Sequence, residues 1–406
     1  MKVVFVNRFY APDHSATSQM LTDLAIALAA GGADVQVITS RLRYDDVAAS
    51  LAPHEVIDGV EVHRVWTSRF GRGNLAGRAL DYLSFYVAAG AKLFGLVRSG
   101  NVVVAKTDPP LVSVVAGGVA RMRGARLVNW LQDLHPEVAA NLGMAPARGP
   151  GGALLRWLRD GSLRHAAANV VLGQRMRECV TTLGVDPKTI VVIPNWADGA
   201  LLRPAERGAN PLRAEWGLGD KFVVGYSGNL GRVHEFGTVL DAAEALRSQA
   251  DIVFLFIGDG AQKAALATAA QERGLSNILF RPYQPRAALG RSLGAADVHL
   301  VTLRPELEGL VVPSKFYGVA AVGRPAIFIG DPEGEIGSVV REAECGMCVQ
   351  QGDAEGLAQA ITALRDDSAL RERMGANARR VFEERYDRRI TVERWRRLLR
   401  DVDVAR

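Results

Sequence analysis

Residues suited to phosphate chemistry stand at two places in the second half of the chain. In VVPSKFYGVAAVGRPAIFI, residues 311–329, Pro313 and Ser314 occupy the start of a predicted short helix. Proline fits a first turn, and serine can cap free amides there. Lys315 follows in that same turn, where a helix end disfavours a cation. A lysine so placed implies an anion in front of the helix, and phosphate suits such a site. The second place is Ser227-Gly228-Asn229-Leu230-Gly231, a turn that follows a predicted strand and opens a helix. Its amides suit a diphosphate, and Arg232 and Lys315 would add charge-assisted bonds. The bland alternative is that these glycines only let a strand and a helix pack closely.

Acid–base chemistry points to WLQDLHPE, which places Asp133, His135 and Glu137 directly after a predicted strand. A general base projects from such a position. Asp133 is the preferred base and His135 the second choice, although a histidine before proline also suits a structural role. Glu137 reads equally as a helix-capping carboxylate. His14 in APDHSATS is a third polar candidate. No His/Cys/Asp cluster shows metal-ligand spacing, so no metal is expected. The pairs Asp401-Val402-Asp403 and Tyr44-Asp45-Asp46 stand away from strand ends and read as exposed surface. Cys345-Gly-Met-Cys348 has a redox spacing but leads into a predicted strand, which favours inert thiols. A nicotinamide enzyme would use Asp259 for a ribose hydroxyl. Against it, GYSGNLG lacks the GxGxxG spacing and no hydride-transfer partner set is evident.

These residues need elements to position them. Strands are predicted at 3–6, 34–39, 60–65, 102–105, 126–131, 169–172 and 190–193. Helices are predicted at 19–30, from near Leu83, at 111–122 and at 156–167. The alternation restarts with strands at 221–226, 252–257, 278–280, 298–301, 326–329 and 347–350. Helices follow at about 236–247 and up to 273, and a helical tail begins near Asp353. Such alternation implies parallel sheets with helices on both faces. A polar, proline-bearing segment at 194–211 marks the boundary. The expected division is an acceptor-binding domain at 1–200, a nucleotide-sugar domain at 201–385 and a terminal helix at 386–406. Ligands bind doubly wound sheets at the carboxyl ends of their strands, so the cleft between two such domains is the default site.

At 406 residues the chain is too long for one ordinary core. Its 48% hydrophobic and 23% charged content describes a well-packed globular protein. A net charge of +5 suits phosphate-bearing ligands or an anionic membrane surface and does not argue for nucleic acid. Three cysteines, Cys179, Cys345 and Cys348, make no disulfide framework, which suggests a reducing compartment. The first residues run straight into a predicted strand, so no signal peptide is expected. No window carries the ~18 apolar residues that a membrane span needs. The nearest, Leu83 to Val97, is interrupted by Lys92. It reads either as a core helix or as a surface helix touching lipid. The second reading rests on Arg69, Arg72, Arg78 and Arg98 around it and on Tyr82, Phe85, Tyr86 and Phe94 within it. The expected location is cytoplasmic, and the lipid-touching reading adds a peripheral place on the inner face of the cytoplasmic membrane.

The ordered motifs NRFYAPDHSAT, TDPPL, WLQDLHPEVAANLG, VIPNWAD, YSGNLGRVHEFGT, FIGDG, NILFRPY, AADVHLVTLRPE and VVPSKFYGVAAVGRP resemble those of the retaining family-4 glycosyltransferases. Within that family the chain is most similar to bacterial polysaccharide and O-antigen transferases with a PSK motif. The resemblance implies a GT-B fold, an α/β architecture of two doubly wound Rossmann-like domains facing across a cleft. It implies transfer from a nucleotide-diphosphate sugar, with UDP-linked and N-acetylated sugars the expected donors, without metal or other cofactor. On the donor side it implicates Ser227, Gly228, Asn229, Gly231, Arg232, Ser314 and Lys315 around the diphosphate. Gly258, Asp259, Pro282 and Tyr283 would lie near the nucleoside, and Glu306 and Glu308 near the sugar. On the acceptor side stand His14, Ser15, Thr17, Asp133 and His135. Asp133, His135, Arg232 and Lys315 would be the catalytic set. The acceptor implied is a saccharide on polyprenyl diphosphate, with the 82–98 region facing the membrane. Helix residues 389–399 would cross back to the first domain. Two departures stand out: Gly318 replaces the usual second glutamate, and no lysine lies between Lys221 and Lys263. A nucleotide-sugar 2-epimerase and a non-catalytic nucleotide-sugar-binding partner are the other readings.

Overall fold

The computed structural model describes residues 1–44, 46, 48–71, 75–144 and 149–404. Asp45 and Arg72, named above, lie outside these. Two compact units result, Met1–Pro194 with Val392–Arg406, and Asn195–Thr391.

In the first unit the strands are β1 (Lys2–Val6), β2 (Asp34–Ser40), β3 (His54–Ile57), β4 (Val60–Val65), β5 (Val102–Lys106), β6 (Arg126–Trp130), β7 (Ala168–Val171) and β8 (Ile190–Val192). Their order is β3-β4-β2-β1-β5-β6-β7-β8. The paired strands run parallel except β3, which lies antiparallel on β4. β5 is buried along its whole length, as a strand covered on both faces must be. Three segments escape the sequence pattern. β3 alternates exposed and half-buried residues at a sheet edge, and the helices Glu137–Asn141 and Gln174–Thr182 are short.

The helix expected from near Leu83 begins earlier, at Leu75. Its first turns, LAGRALDY, bury Gly77 and Asp81 and leave Ala76, Ala79 and Leu80 exposed, so no buried apolar stripe marks them. Asp81, wholly buried, anchors them by accepting from Ser68 Oγ at 2.7 Å, Phe70 N at 3.0 Å and Gly71 N at 2.9 Å. The last helix, Arg388–Val404, supplies Trp395 to this unit. That indole packs on Trp130 with ring centroids 4.7 Å apart, and Arg396 Nη2 donates to the Ala27 carbonyl at 2.8 Å.

In the second unit β9 (Phe222–Ser227), β10 (Ile252–Ile257), β11 (Ile278–Arg281), β12 (Val298–Thr302), β13 (Ala326–Ile329) and β14 (Gly346–Val349) form a parallel sheet. Its order is β11-β10-β9-β12-β13-β14. This is the doubly wound order of dinucleotide-binding folds, with the direction of winding reversing between β9 and β12. The carboxyl ends of those two strands therefore open a crevice, flanked by residues 227–232 and 303–315. Two expectations need correction here. The helix after Ser227–Gly231 starts only at Gly237, so the turn does not open it. Ser314 is exposed and makes no side-chain cap to the helix Lys315–Ala321.

Gly225 sits within β9 because a Cβ there would come within 2.6 Å of Ala296 Cβ and 3.0 Å of the His299 ring. His299 is wholly shielded, its Nε2–H donates to the Leu293 carbonyl at 2.8 Å, and Nδ1 has no partner. A proton on Nδ1 would be buried and unsatisfied, and burial accordingly pushes this imidazole down to about 4. An unfolded histidine titrates near 6.5. The neutral ring thus contributes stability above pH ~6.5 that is lost as pH falls towards 4, about 3 kcal/mol in all. Thermal melts of the parent and of His299→Gln between pH 7.5 and 4 should show the parent losing more stability. Parallel pH profiles would refute it.

Candidate functional site

The crevice of the second unit is built by backbone held at close quarters. Gly228, Gly258 and Gly260 have φ of 133°, 142° and 151°, which side chains rarely adopt. A Cβ on Gly258 would lie 2.1 Å from the Gly228 carbonyl oxygen, and one on Gly260 2.7 Å from Leu230 N. The loops after β9 and β10 therefore interlock. Gly228 N donates to Ile257 O at 2.9 Å and Leu230 N to Asp259 O at 2.8 Å. This corrects the expectation that the whole turn cradles a ligand, because those two amides already serve the fold. Among the described residues, no acceptor meets the amides of Asn229, Gly231 or Arg232.

Lys315 comes to this loop from the start of its helix. Its Cε lies 3.5 Å from where a Gly228 Cβ would be, and its Nζ stands 4.4 Å from the Tyr226 ring centroid. His234 completes the box. His234 Nδ1 is 2.7 Å from the Thr302 carbonyl, which can only accept, so Nδ1 carries the proton. Nε2 is then an acceptor, and Lys315 Nζ donates to it at 2.9 Å. Burial, and then the lysine itself, push His234 well below the usual histidine range. Loss of water pushes the Lys315 ammonium well below the usual lysine range. No carboxylate pairs with Lys315 among the described residues. An arriving anion would restore its charge. His234 was not singled out from sequence, because its role depends on a carbonyl of β12.

The other donor-side candidates are dispersed around this centre. Ser227 ends β9 half-buried, and Arg232 is exposed. Asp259 is exposed, and the Gly260 amide and Lys263 hold its carboxyl below the usual range. Pro282 and Tyr283 are exposed, with the Tyr283 ring 3.4 Å from the position of a Gly258 Cβ. Glu306 pairs with Arg304 at 2.5 Å. Glu308 turns to the helix Glu335–Glu342, its Oε1 accepting from Glu335 N at 2.8 Å. A carboxylate at a helix start is ordinary capping, so Glu308 has a structural engagement in this state. Burial raises its carboxyl above the usual range. Gly318 has Leu293 3.3 Å from the place of its Cβ, which leaves little room for a larger side chain.

In the first unit, the reversal between β1 and β5 gathers the acceptor-side candidates. Thr17 Oγ1 donates to Asp108 Oδ2 at 3.4 Å. Ser15 has its amide on Asp13 Oδ1 at 2.8 Å and its hydroxyl buried without a partner. His14 is exposed. Asp133 and His135 are half-buried and influence each other. Burial is the main cause for both, raising the Asp133 carboxyl and lowering the His135 imidazole. Glu137 is not a free cap: Arg159 forks onto both its oxygens at 2.7 and 2.8 Å and also donates to the His135 carbonyl at 2.7 Å. Arg159, 4% exposed, thereby fixes the 133–137 loop.

Lys106, like Arg159, was not singled out from sequence. It is 1% exposed at the end of β5, its Nζ lies 3.6 Å over the Trp130 ring and has no hydrogen-bond partner. Burial pushes it well below the lysine range against the pull of Asp108 and Asp133. A lysine inside the apolar run VVVAK was the available signal. Lys106→Met keeps the stem and removes an unsatisfied polar head, so it should stabilise the fold by about 1–3 kcal/mol. A melting temperature below that of the parent would show that the ammonium is satisfied in solution. The thiols of Cys345 and Cys348 are pushed up to about 12 and about 11 by burial, which leaves them unreactive at neutral pH.

Two family models match the chain, one described as "Glycosyl transferase 4-like domain" over residues 16–196 and one as "Glycosyl transferases group 1" over residues 210–381. Among curated proteins, the chain is 31% identical to the putative colanic acid biosynthesis glycosyl transferase WcaI of Escherichia coli K12. That match covers 63% of this chain and 64% of the relative, so it spans less than two thirds of it. The probable glycosyltransferase WbjE of Pseudomonas aeruginosa is 28% identical, over 82% of this chain and 83% of its own length. Among solved structures, sucrose-phosphate synthase from Thermosynechococcus elongatus superposes with a TM-score of 0.81 at 18% identity, covering 100% of both chains. HepE of Anabaena in complex with UDP-glucose gives 0.72 at 17% identity, covering 99% of this chain and 100% of its own.

Proposed function

Because the chain belongs to the glycosyltransferases of the GT-B type, we propose that it transfers a sugar, with retained configuration, from a nucleoside-diphosphate donor to a growing polysaccharide. The observation that carries this reading is the box around Lys315. A half-buried ammonium without a carboxylate stands beside unpaired amides at the carboxyl end of β9. Such a site receives a diphosphate and stabilises the charge that grows on it as the sugar departs. Arg232 adds a second cation at the solvent side, and Tyr283 beside Gly258 offers a flat surface to a base. The acceptor hydroxyl attacks on the face the diphosphate leaves, and its proton passes to the departing phosphate or to Asp133. UDP is the favoured carrier, since it is bound in HepE. No metal or other cofactor enters this scheme.

The acceptor we favour is a saccharide on a polyprenyl diphosphate, met at the inner face of the cytoplasmic membrane. Leu80, Leu83 and Val87 recur at helical spacing and are 49%, 57% and 67% exposed. Arg78 lies on the same helix, and such a basic, apolar surface suits anionic lipid. No helix among the described residues is long and apolar enough to cross a membrane. Co-sedimentation with anionic vesicles should fall at least about tenfold in Leu83→Glu/Val87→Glu. Equal sedimentation of variant and parent would refute the membrane face.

Thermal shifts with UDP, GDP, dTDP, ADP and NAD test the donor class. A ligand at ~100 times its dissociation constant adds about 2.7 kcal/mol. Stabilisation by one nucleoside diphosphate, followed by release of that diphosphate from its sugar conjugate, is the expected result. Stabilisation by NAD alone, or by none of the five, would overturn the proposal.

A further inference from the structure

The edge hairpin of the first unit brings together three potential metal ligands that the linear sequence separates. His54 of β3 lies directly opposite His63 of β4, and Glu61 is two residues from His63 on the same strand. Side chains alternate across a sheet, so positions 61 and 63 share one face. Directly opposed residues of an antiparallel pair share it too. The three ligand atoms all lie within 4.8 Å of one another. Glu61 Oε1 stands 3.0 Å from His54 Nε2 and 3.5 Å from His63 Nε2. Ligand atoms about 2.0–2.1 Å from a tetrahedral zinc ion are about 3.3 Å apart, so these two separations bracket the required one.

Two further features point the same way. His63 is 5% exposed, and neither of its ring nitrogens has a hydrogen-bond partner. Leaving a buried imidazole unpaired is unfavourable unless something else satisfies it. Gln36 of β2, paired in register with Glu61, donates Nε2 to Glu61 Oε2 at 2.6 Å. This leaves Oε1 turned towards the two imidazoles. A buried amide that orients a ligating carboxylate is the outer support that metal sites use.

We propose that His54, Glu61 and His63 form a binding site for one divalent transition-metal ion, with zinc the best match to two nitrogens and one carboxylate oxygen. Water completes its coordination on the exposed side of His54. The ion ties β3, a four-residue edge strand, to β4 and so fastens the rim of the sheet. It is distinct from the proposed sugar transfer and takes no part in it.

The test uses the untagged full chain, stripped with chelator and titrated with Co²⁺ while visible absorbance is followed, with Zn²⁺ then added in competition. One tight ion per chain, intense tetrahedral bands and their loss on zinc addition are expected. His54→Ala and Glu61→Gln should each weaken binding at least ~100-fold, and Gln36→Ala ~10–100-fold. His54 is half-exposed, so its variant should fold, which circular dichroism verifies. Absence of binding at tens of micromolar free metal, or unchanged binding in folded His54→Ala, would overturn the site. The first of those results would leave a plain His54–Glu61 hydrogen bond as the whole of the interaction.

Discussion

Lys315→Ala is expected to lower turnover about 10²–10³-fold while leaving the fold intact. Removing one preorganised donor to a developing anion costs about 2.7–4 kcal/mol of transition-state stabilisation in comparable sites. Lys315 also has no carboxylate partner among the described residues, so its loss strands no buried charge there. Removing a half-buried ammonium should therefore leave the melting temperature unchanged or slightly higher. His234→Phe should reproduce part of the loss by freeing the lysine from its acceptor, and its defect should appear in kcat more than in KM. Diphosphate release from the donor identified by thermal shift, measured for each protein, checks both. Turnover of Lys315→Ala within threefold of the parent would remove the lysine from the chemistry.

Trp395→Ala is expected to destabilise the first unit by about 3–5 kcal/mol, the usual loss for deleting a buried indole. The side chain is 0% exposed and lies against Trp130, also 0% exposed. Arg389, earlier on the same helix, is 84% exposed, and Arg389→Ala should not move the melting temperature measurably. Denaturant titrations of both variants separate a helix that completes a core from one that merely decorates a surface. Equal midpoints for Trp395→Ala and the parent would show that the helix contributes nothing to that unit.

Alternation of apolar runs with helical periods was enough to place every strand but β3, thirteen in all, and to specify parallel sheets. This works because a strand buried on both faces must be apolar throughout, whatever its neighbours. β3 escaped because an edge strand is half solvated and reads as a polar loop. The start of the helix Leu75–Leu96 escaped for a different reason, since its buried anchor is the carboxylate of Asp81 and not an apolar stripe.

The candidate site divides along the same line. Lys315 and the glycine turn were legible, because a cation at a helix start and glycines after a strand are local anomalies. That Gly258 must be glycine follows only from the Gly228 carbonyl packed against it, thirty residues away in sequence. That two amides of the turn are already spent follows from the loop after β10. His234 and Arg159 carry no local signal in sequence, and Lys106 carries only its place in the apolar run VVVAK. The amino-acid sequence by itself determined the two-sheet architecture and the strand ends where chemistry collects, because burial and backbone conformation are encoded residue by residue. Only the tertiary structure decided which lysine nitrogen meets which histidine tautomer, and which histidines face each other across β3 and β4. Those pairings depend on strand register and loop contacts between residues far apart in the chain, and no local pattern carries that information.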